Sequence, residues 1–187
     1  MKTVTVVLSS ALLISAAAAV EKPTVKQEGI HCIKMLGGAL KSKLKAKMKE
    51  DKSGLTALAF CTSSADEITK SVNKQLPPYA MVRRTALAVR NDSVNLPDAT
   101  DMKVMKKFES AIQQQKMTPK TVMVVEEGNV TRVYKPLVTK GVCLKCHGSR
   151  LSPKIAEAIK TSYPNDKAVG FEEGTLRGVI VAEIKKH

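Results

Sequence analysis

Apolar residues recur at three- and four-residue steps through residues 29–49, where lysines separate Ile30, Ile33, Leu36, Leu40 and Leu44. That period predicts an amphipathic helix. Ser53 and Gly54 interrupt it, and a second helix is predicted over 55–76, with Leu58, Cys61, Ala65, Ile68 and Val72 on one stripe. The Pro77-Pro78 pair stops that helix. Residues 79–89 are mixed and read as a strand or an irregular crossing, and 91–101 are turn-rich. A short helix over 102–115 turns Val104, Met105, Phe108 and Ile112 inward. Strands are predicted at 121–126 and 130–137, joined by a hairpin at Glu127-Gly128-Asn129. Residues 141–149 form a turn carrying two cysteines, 155–162 a helix and 176–185 a closing strand. The order predicts one α+β domain with a single antiparallel sheet and a helical insertion between its last two strands.

The N-terminus sets the expected compartment. Lys2, an apolar stretch over 4–16 and the small residues Ala17, Ala18 and Ala19 predict a cleaved secretory signal peptide over 1–19, with the domain occupying 20–187. A membrane anchor needs about 20 apolar residues, and no cysteine stands at the cleavage site for a lipid anchor. The expected location is therefore the periplasm, an oxidising space in which cysteines form disulfides or attach cofactors.

Composition sharpens this. Aromatics are only 3% of a chain that is 43% hydrophobic, with no Trp, so an aliphatic core leaves room for a large flat apolar group. The formal charge is +14. A periplasmic chain meets no chromosome, which excludes nucleic acid as partner. The charge then belongs to a solvated surface, or steers the protein toward an acidic redox partner or the anionic membrane surface.

Cys143-Leu144-Lys145-Cys146-His147 is the strongest chemical signal, because C-x-x-C-H is the c-type haem attachment signature. Residues three and four apart on a helical turn share a face, about 5–6 Å between Cβ atoms. Both cysteines can then form thioethers to one porphyrin while His147 reaches the iron. A zinc site would need four Cys or His ligands, with Cys32, Cys61 or His31 completing it; a thioredoxin-like pair or a Cys143–Cys146 disulfide are the other plain readings. For the second axial ligand the candidates are the two other histidines, His31 and His187, several methionines, and Cys61, which sits among the small residues Ala57, Ser64 and Ala65. On spacing alone Cys61 reads as a buried hydrophobe or as half of a Cys32–Cys61 disulfide. Arg83, Arg84 and Arg90 are candidates to pair with haem propionates, or are loop-bracing groups.

Four stretches resemble a family of exported c-type haem domains with a PAS-like fold, found as stand-alone cytochromes and as sensor modules. They are Ala59-Phe60-Cys61 with Ala65; Val82-Arg83-Arg84-Thr85 running to Arg90-Asn91 and Asn95-Leu96-Pro97-Asp98; Cys143 to Gly148; and Tyr163-Pro164-Asn165-Asp166-Lys167-Ala168 continuing to Arg177-Gly178. The chain departs from the family between Asn91 and Asn95, where Asp92, Ser93 and Val94 lengthen the loop. The resemblance implies a central antiparallel sheet flanked by helices, one covalent haem c, and Cys61 as the iron ligand opposite His147. It also favours Arg83, Arg84 and Arg90 as pocket residues. Both axial positions would be filled, which points to one-electron transfer or redox sensing rather than an enzyme; the alternative is a gas or redox sensor signalling to a separate protein. A peroxidase needs a vacant site with an acid/base group beside it, and histidine is scarce.

Overall fold

The computed structural model describes residues 22–186; the signal peptide expected over 1–19 lies outside them. The first helix, α1 (Val25–Glu50), starts earlier than its apolar stripe. Thr24 caps it, accepting from the Gln27 amide while the Gln27 side chain accepts from the Thr24 amide at 2.7 Å. This reciprocal box satisfies two donors that a helix start otherwise leaves open.

The predicted helix over 55–76 is two helices, α2 (Leu55–Ser63) and α3 (Ala65–Gln75), broken at Ser64. Thr62-Ser63-Ser64 explains the break. The Thr62 and Ser63 hydroxyls both donate to the Ala59 carbonyl, at 2.8 and 2.9 Å, competing with the helical ladder. Next come β1 (Ala80–Thr85), an irregular crossing over 86–98, and α4 (Ala99–Gln113), whose start is boxed by Asp98 and Asp101. The hairpin β2 (Met123–Glu127) and β3 (Val130–Val138) follows as expected. A 3₁₀ turn (Gly141–Cys143), α5 (Leu144–His147) and α6 (Pro153–Ser162) then precede β4 (Leu176–Lys185).

The four strands form one antiparallel sheet in the order β1-β4-β3-β2. The expected α+β class is thus observed. Strand alternation divides the core in two. On one face Val82, Val133, Ile180, Ala182 and Ile184 pack against Cys32, Ile33 and Leu36 of α1 and Val72 of α3. On the other, Tyr134, Val179 and Val181 pack against Val104, Met105 and Phe108 of α4. A third cluster, Leu58 of α2 with Ile155 and Ile159 of α6, gathers around Cys146. Among the described residues no helix is long and apolar enough to cross a membrane.

The α4 face also holds a buried charge network. Asp101, fully buried, accepts from both terminal nitrogens of Arg83 at 2.9 and 3.0 Å and from the Tyr134 hydroxyl at 3.0 Å. Glu183 takes the Arg83 Nε at 2.8 Å.

Helix α1 lies so close to the sheet that a Cβ at Gly29 would stand 2.4 Å from Val133 Cγ2, whereas one at Gly38 would meet nothing within 4 Å. Gly29→Ala is expected to lose about 1–3 kcal/mol by overpacking. Gly38→Ala is expected to gain about 0.5–1 kcal/mol from helix propensity. Urea unfolding measures both, and equal effects would refute this close approach.

Candidate functional site

The five residues of the Cys143–His147 motif form a 3₁₀ turn running into one turn of α-helix. Neighbours hold this turn from several sides. Lys145 Nζ donates to the Lys52 carbonyl at 2.6 Å, tying it to the α1–α2 junction. The His147 carbonyl accepts from the Phe171 amide at 2.9 Å, and the Gly148 carbonyl from the Gly170 amide at 3.2 Å. Cys146 packs beside Leu58 and Ile155, and all four cysteines are free thiols.

His147 is oriented through its Nδ1, which lies 2.7 Å from the Ala168 carbonyl oxygen. A carbonyl only accepts, so Nδ1 carries the hydrogen and Nε2 keeps its lone pair. This is how proteins set a metal-ligating imidazole, with the other nitrogen donating to a fixed oxygen. Burial, then the Arg177 and Arg90 cations, push the His147 pKa down to about 3. The ring is neutral at physiological pH and available as a donor.

Arg90 binds the same junction. It makes two contacts to Asp166, at 3.2 and 3.1 Å, and donates to the Cys146 carbonyl at 2.6 Å and the Ala168 carbonyl at 3.0 Å. Asp166 also receives the Ala168 amide at 2.8 Å. Arg90 is therefore a brace joining the motif to the 163–171 loop through its Nε and one terminal nitrogen. Arg84 pairs with Asp66 at 3.2 Å, and its buried Nε has no hydrogen-bond partner among the described residues.

The structure brings Cys61 to this group. Burial pushes its thiol pKa up; Arg84 opposes that most, Cys146 adds to the rise, and Arg90 and Arg177 oppose it. Cys61 therefore shares one electrostatic neighbourhood with the motif, although it lies some eighty residues earlier. Tyr163 closes the side, its hydroxyl 3.4 Å from the Cys61 carbonyl. Arg83 is not brought there. It is adjacent to Arg84 on β1, so its side chain leaves the opposite face of the sheet and is spent on Asp101 and Glu183.

Sequence reading did not single out Arg177, Phe171 or the Ala168 carbonyl as site groups. Arg177 lies over the Phe171 ring at 5.1 Å from its centroid, and the His147 and Phe171 rings meet edge-on at 6.2 Å. Arg177, the one charged residue of the run 176–182 in the closing strand, was the available signal. Cys32 sits in the α1 core, apart from Cys61. Among the described residues no three His, Cys, Asp or Glu side chains are placed to hold a metal ion, so zinc ligands are not assembled. A neutral imidazole and a thiol that lie in the field of the same arginines are instead of the donor types that hold haem iron.

The bare polypeptide should show the His147 environment as a pH dependence. Its folded pKa, about 3, lies below the ordinary 6.5. The unfolded chain therefore takes the proton first, so this stability is complete above about pH 6.5 and is lost as pH falls toward 3. His147→Gln is expected to flatten that part of the stability–pH curve. A variant whose slope matches the parent would contradict the buried neutral ring.

The Tll0287-like family model matches residues 6–184. A solved structure, the crystal structure of the cyanobacterial haem protein Tll0287, aligns with a TM-score of 0.56 at 23% identity, covering 84% of this chain and 90% of that one. At that identity the likeness carries the fold. No curated protein matches the chain.

Proposed function

The chain belongs to the Tll0287-like family, and from that premise we propose that it is a monohaem c-type cytochrome of the periplasm, serving one-electron transfer or redox sensing. The observation that carries the reading is the His147 Nδ1 contact to Ala168, 2.7 Å, at the end of a C-x-x-C-H turn. It fixes the ring and leaves Nε2 as a donor. The crystal structure of similar fold is that of a haem protein, and the sheet flanked by helices on both faces is compatible with a PAS-like domain.

In this reading Cys143 and Cys146 would hold the porphyrin through thioethers, and His147 and Cys61 would be the residues that bind its iron. When bound, the group supplies a one-electron couple. The chain's own part is positional. Arg90 and Asp166 keep the motif turn against the 163–171 loop, Ala168 holds the imidazole plane, and Phe171 flanks the ring. If His147 and Cys61 both bound the iron, no site for a substrate would remain, which favours electron transfer or sensing over catalysis. A thiolate donor favours ferric iron and a low potential. The +14 charge suits an acidic periplasmic redox partner, with approach weakened by salt.

Chain made in cells competent for cytochrome maturation should keep its pigment through acid-acetone extraction and denaturing electrophoresis. Cys143→Ser with Cys146→Ser should lose it. Pigment that extracts freely from the parent chain would end the c-type reading. Cys61→Ala should retain pigment but change the ferric low-spin electron paramagnetic resonance spectrum; an identical spectrum would remove Cys61 as ligand.

A further inference from the structure

From Gly29 to Lys49 the chain has no acidic residue, and Lys41, Lys43, Lys45, Lys47 and Lys49 alternate along the last part of α1. Residues 41–46 are all exposed, so this part of the helix stands in solvent on every side. Lys47 pairs with Glu50 at 2.7 Å, but among the described residues no carboxylate lies within ion-pair distance of Lys41, Lys43, Lys45 or Lys49. Lys41 and Lys45, Lys43 and Lys47, and Lys45 and Lys49 stand four residues apart on the helix, where like charges repel. Mixed signs would serve solubility without that repulsion.

This lysine arm ends at the C-x-x-C-H turn. A Cβ at Gly54, just past the helix, would lie 3.8 Å from Cys146 Sγ and 4.0 Å from Met48 Sδ, so the last turn of α1 and the motif are neighbours. Lys145 Nζ donates to the Lys52 carbonyl at 2.6 Å across the same junction. Beside Cys143, Val142 is 58% exposed, and Lys140 and Lys145 are exposed around it. Glu173, bonded to the Gly141 amide at 2.9 Å, is one acid against these lysines. An apolar centre with a charged, solvated rim is how small transient interfaces are built.

We propose that the lysine arm over 41–49, with Lys145, is the docking surface for an acidic electron-transfer protein, which it holds against the haem-attachment turn. The proposal rests on the haem reading and names where the partner of that reading binds. A lipid surface fits less well. A helix lying in a membrane interface needs a whole apolar face, whereas here Leu40 packs on the core and Met48 turns toward Gly54. Leu44, at 39%, is the large apolar side chain left exposed on the arm. In the docked pair one electron leaves ferrous haem and reduces the partner's oxidised metal centre; no bond forms and no proton moves.

The test is stopped-flow oxidation of the ferrous holoprotein by an acidic blue-copper protein in its cupric form. The arm variant Lys41→Glu, Lys43→Glu, Lys45→Glu should lower the second-order rate constant at low salt about ten-fold. The control Lys103→Glu, Lys106→Glu, Lys107→Glu makes the same change in net charge on α4, which packs on the opposite face of the sheet. It should stay within about two-fold of the parent, because charges farther than a Debye length from the contact are screened. Raising the ionic strength from about 0.01 M to 0.1 M shortens that length from about 30 to 10 Å and should remove most of the difference between parent and arm variant. Lys→Gln at the same three arm positions, with an expected loss of about three-fold, serves where circular dichroism shows the Glu variant poorly folded. Equal losses in the arm and α4 variants overturn the inference, since total charge and not its place would then set the rate. Arm-dependent sedimentation with phosphatidylglycerol vesicles, with transfer rates that ignore the arm, assigns the arm to lipid and also overturns it. Parent chain without covalent pigment overturns the haem reading and this inference together, whereas pigment with rates indifferent to the arm overturns the inference alone.

Discussion

One carbonyl oxygen organises the site. Ala168 receives the His147 Nδ1 hydrogen at 2.7 Å and an Arg90 nitrogen at 3.0 Å, while Arg90 reaches the Cys146 carbonyl and Asp166. A short turn such as Leu144–His147 is too brief to hold its own shape, because helices of this length do not sustain themselves. Its conformation is imposed by the loop it rests on. Arg90 is the means, since a planar guanidinium offers several donors at fixed angles and binds separate acceptors together.

The sheet serves that junction by sorting charge. Alternation along β1 sends Arg83 toward α4 and Arg84 toward Asp66 and the motif. Arg83, Asp101, Tyr134 and Glu183 close on themselves, satisfying one another inside the α4 layer. On the other side Arg84 pairs with Asp66 and Arg90 with Asp166, tying β1 and the irregular crossing to α3 and to the loop that carries Ala168.

The break at Ser64 contributes in the same direction. An unbroken helix over 55–76 would carry Cys61 on the stripe of Leu58, Ala65 and Val72, directed into hydrophobic packing. With the ladder interrupted by the Thr62 and Ser63 hydroxyls, α2 packs with α6 beside Cys146 and α3 packs on the sheet. Cys61, near the end of α2, is released into the field of Arg84, Arg90 and Arg177. A local competition for one carbonyl thus decides the environment of a sulfur.

The amino-acid order by itself determined the hairpin of β2 and β3, the closing strand β4 and most helix spans, because those follow from periodicity and from turn residues acting over a few positions; over 79–89 it left strand and irregular crossing open. It determined the motif too, since Cys143, Cys146 and His147 are neighbours in the chain. Helix starts were missed by a few residues where capping pairs, Thr24 with Gln27 and Asp98 with Asp101, sat in polar stretches with no apolar stripe. What only tertiary structure decided is which distant groups serve that motif: Cys61 from α2, Arg90 from the irregular crossing, Ala168 and Phe171 from a late loop, Arg177 from β4. Sequence spacing says nothing of separations of about twenty to eighty residues across loops. Adjacency misleads as well, for Arg83 and Arg84 touch in sequence and part in space. The pleat of the strand sends successive side chains to opposite faces, and only the packing of helices on those faces gives each its partner.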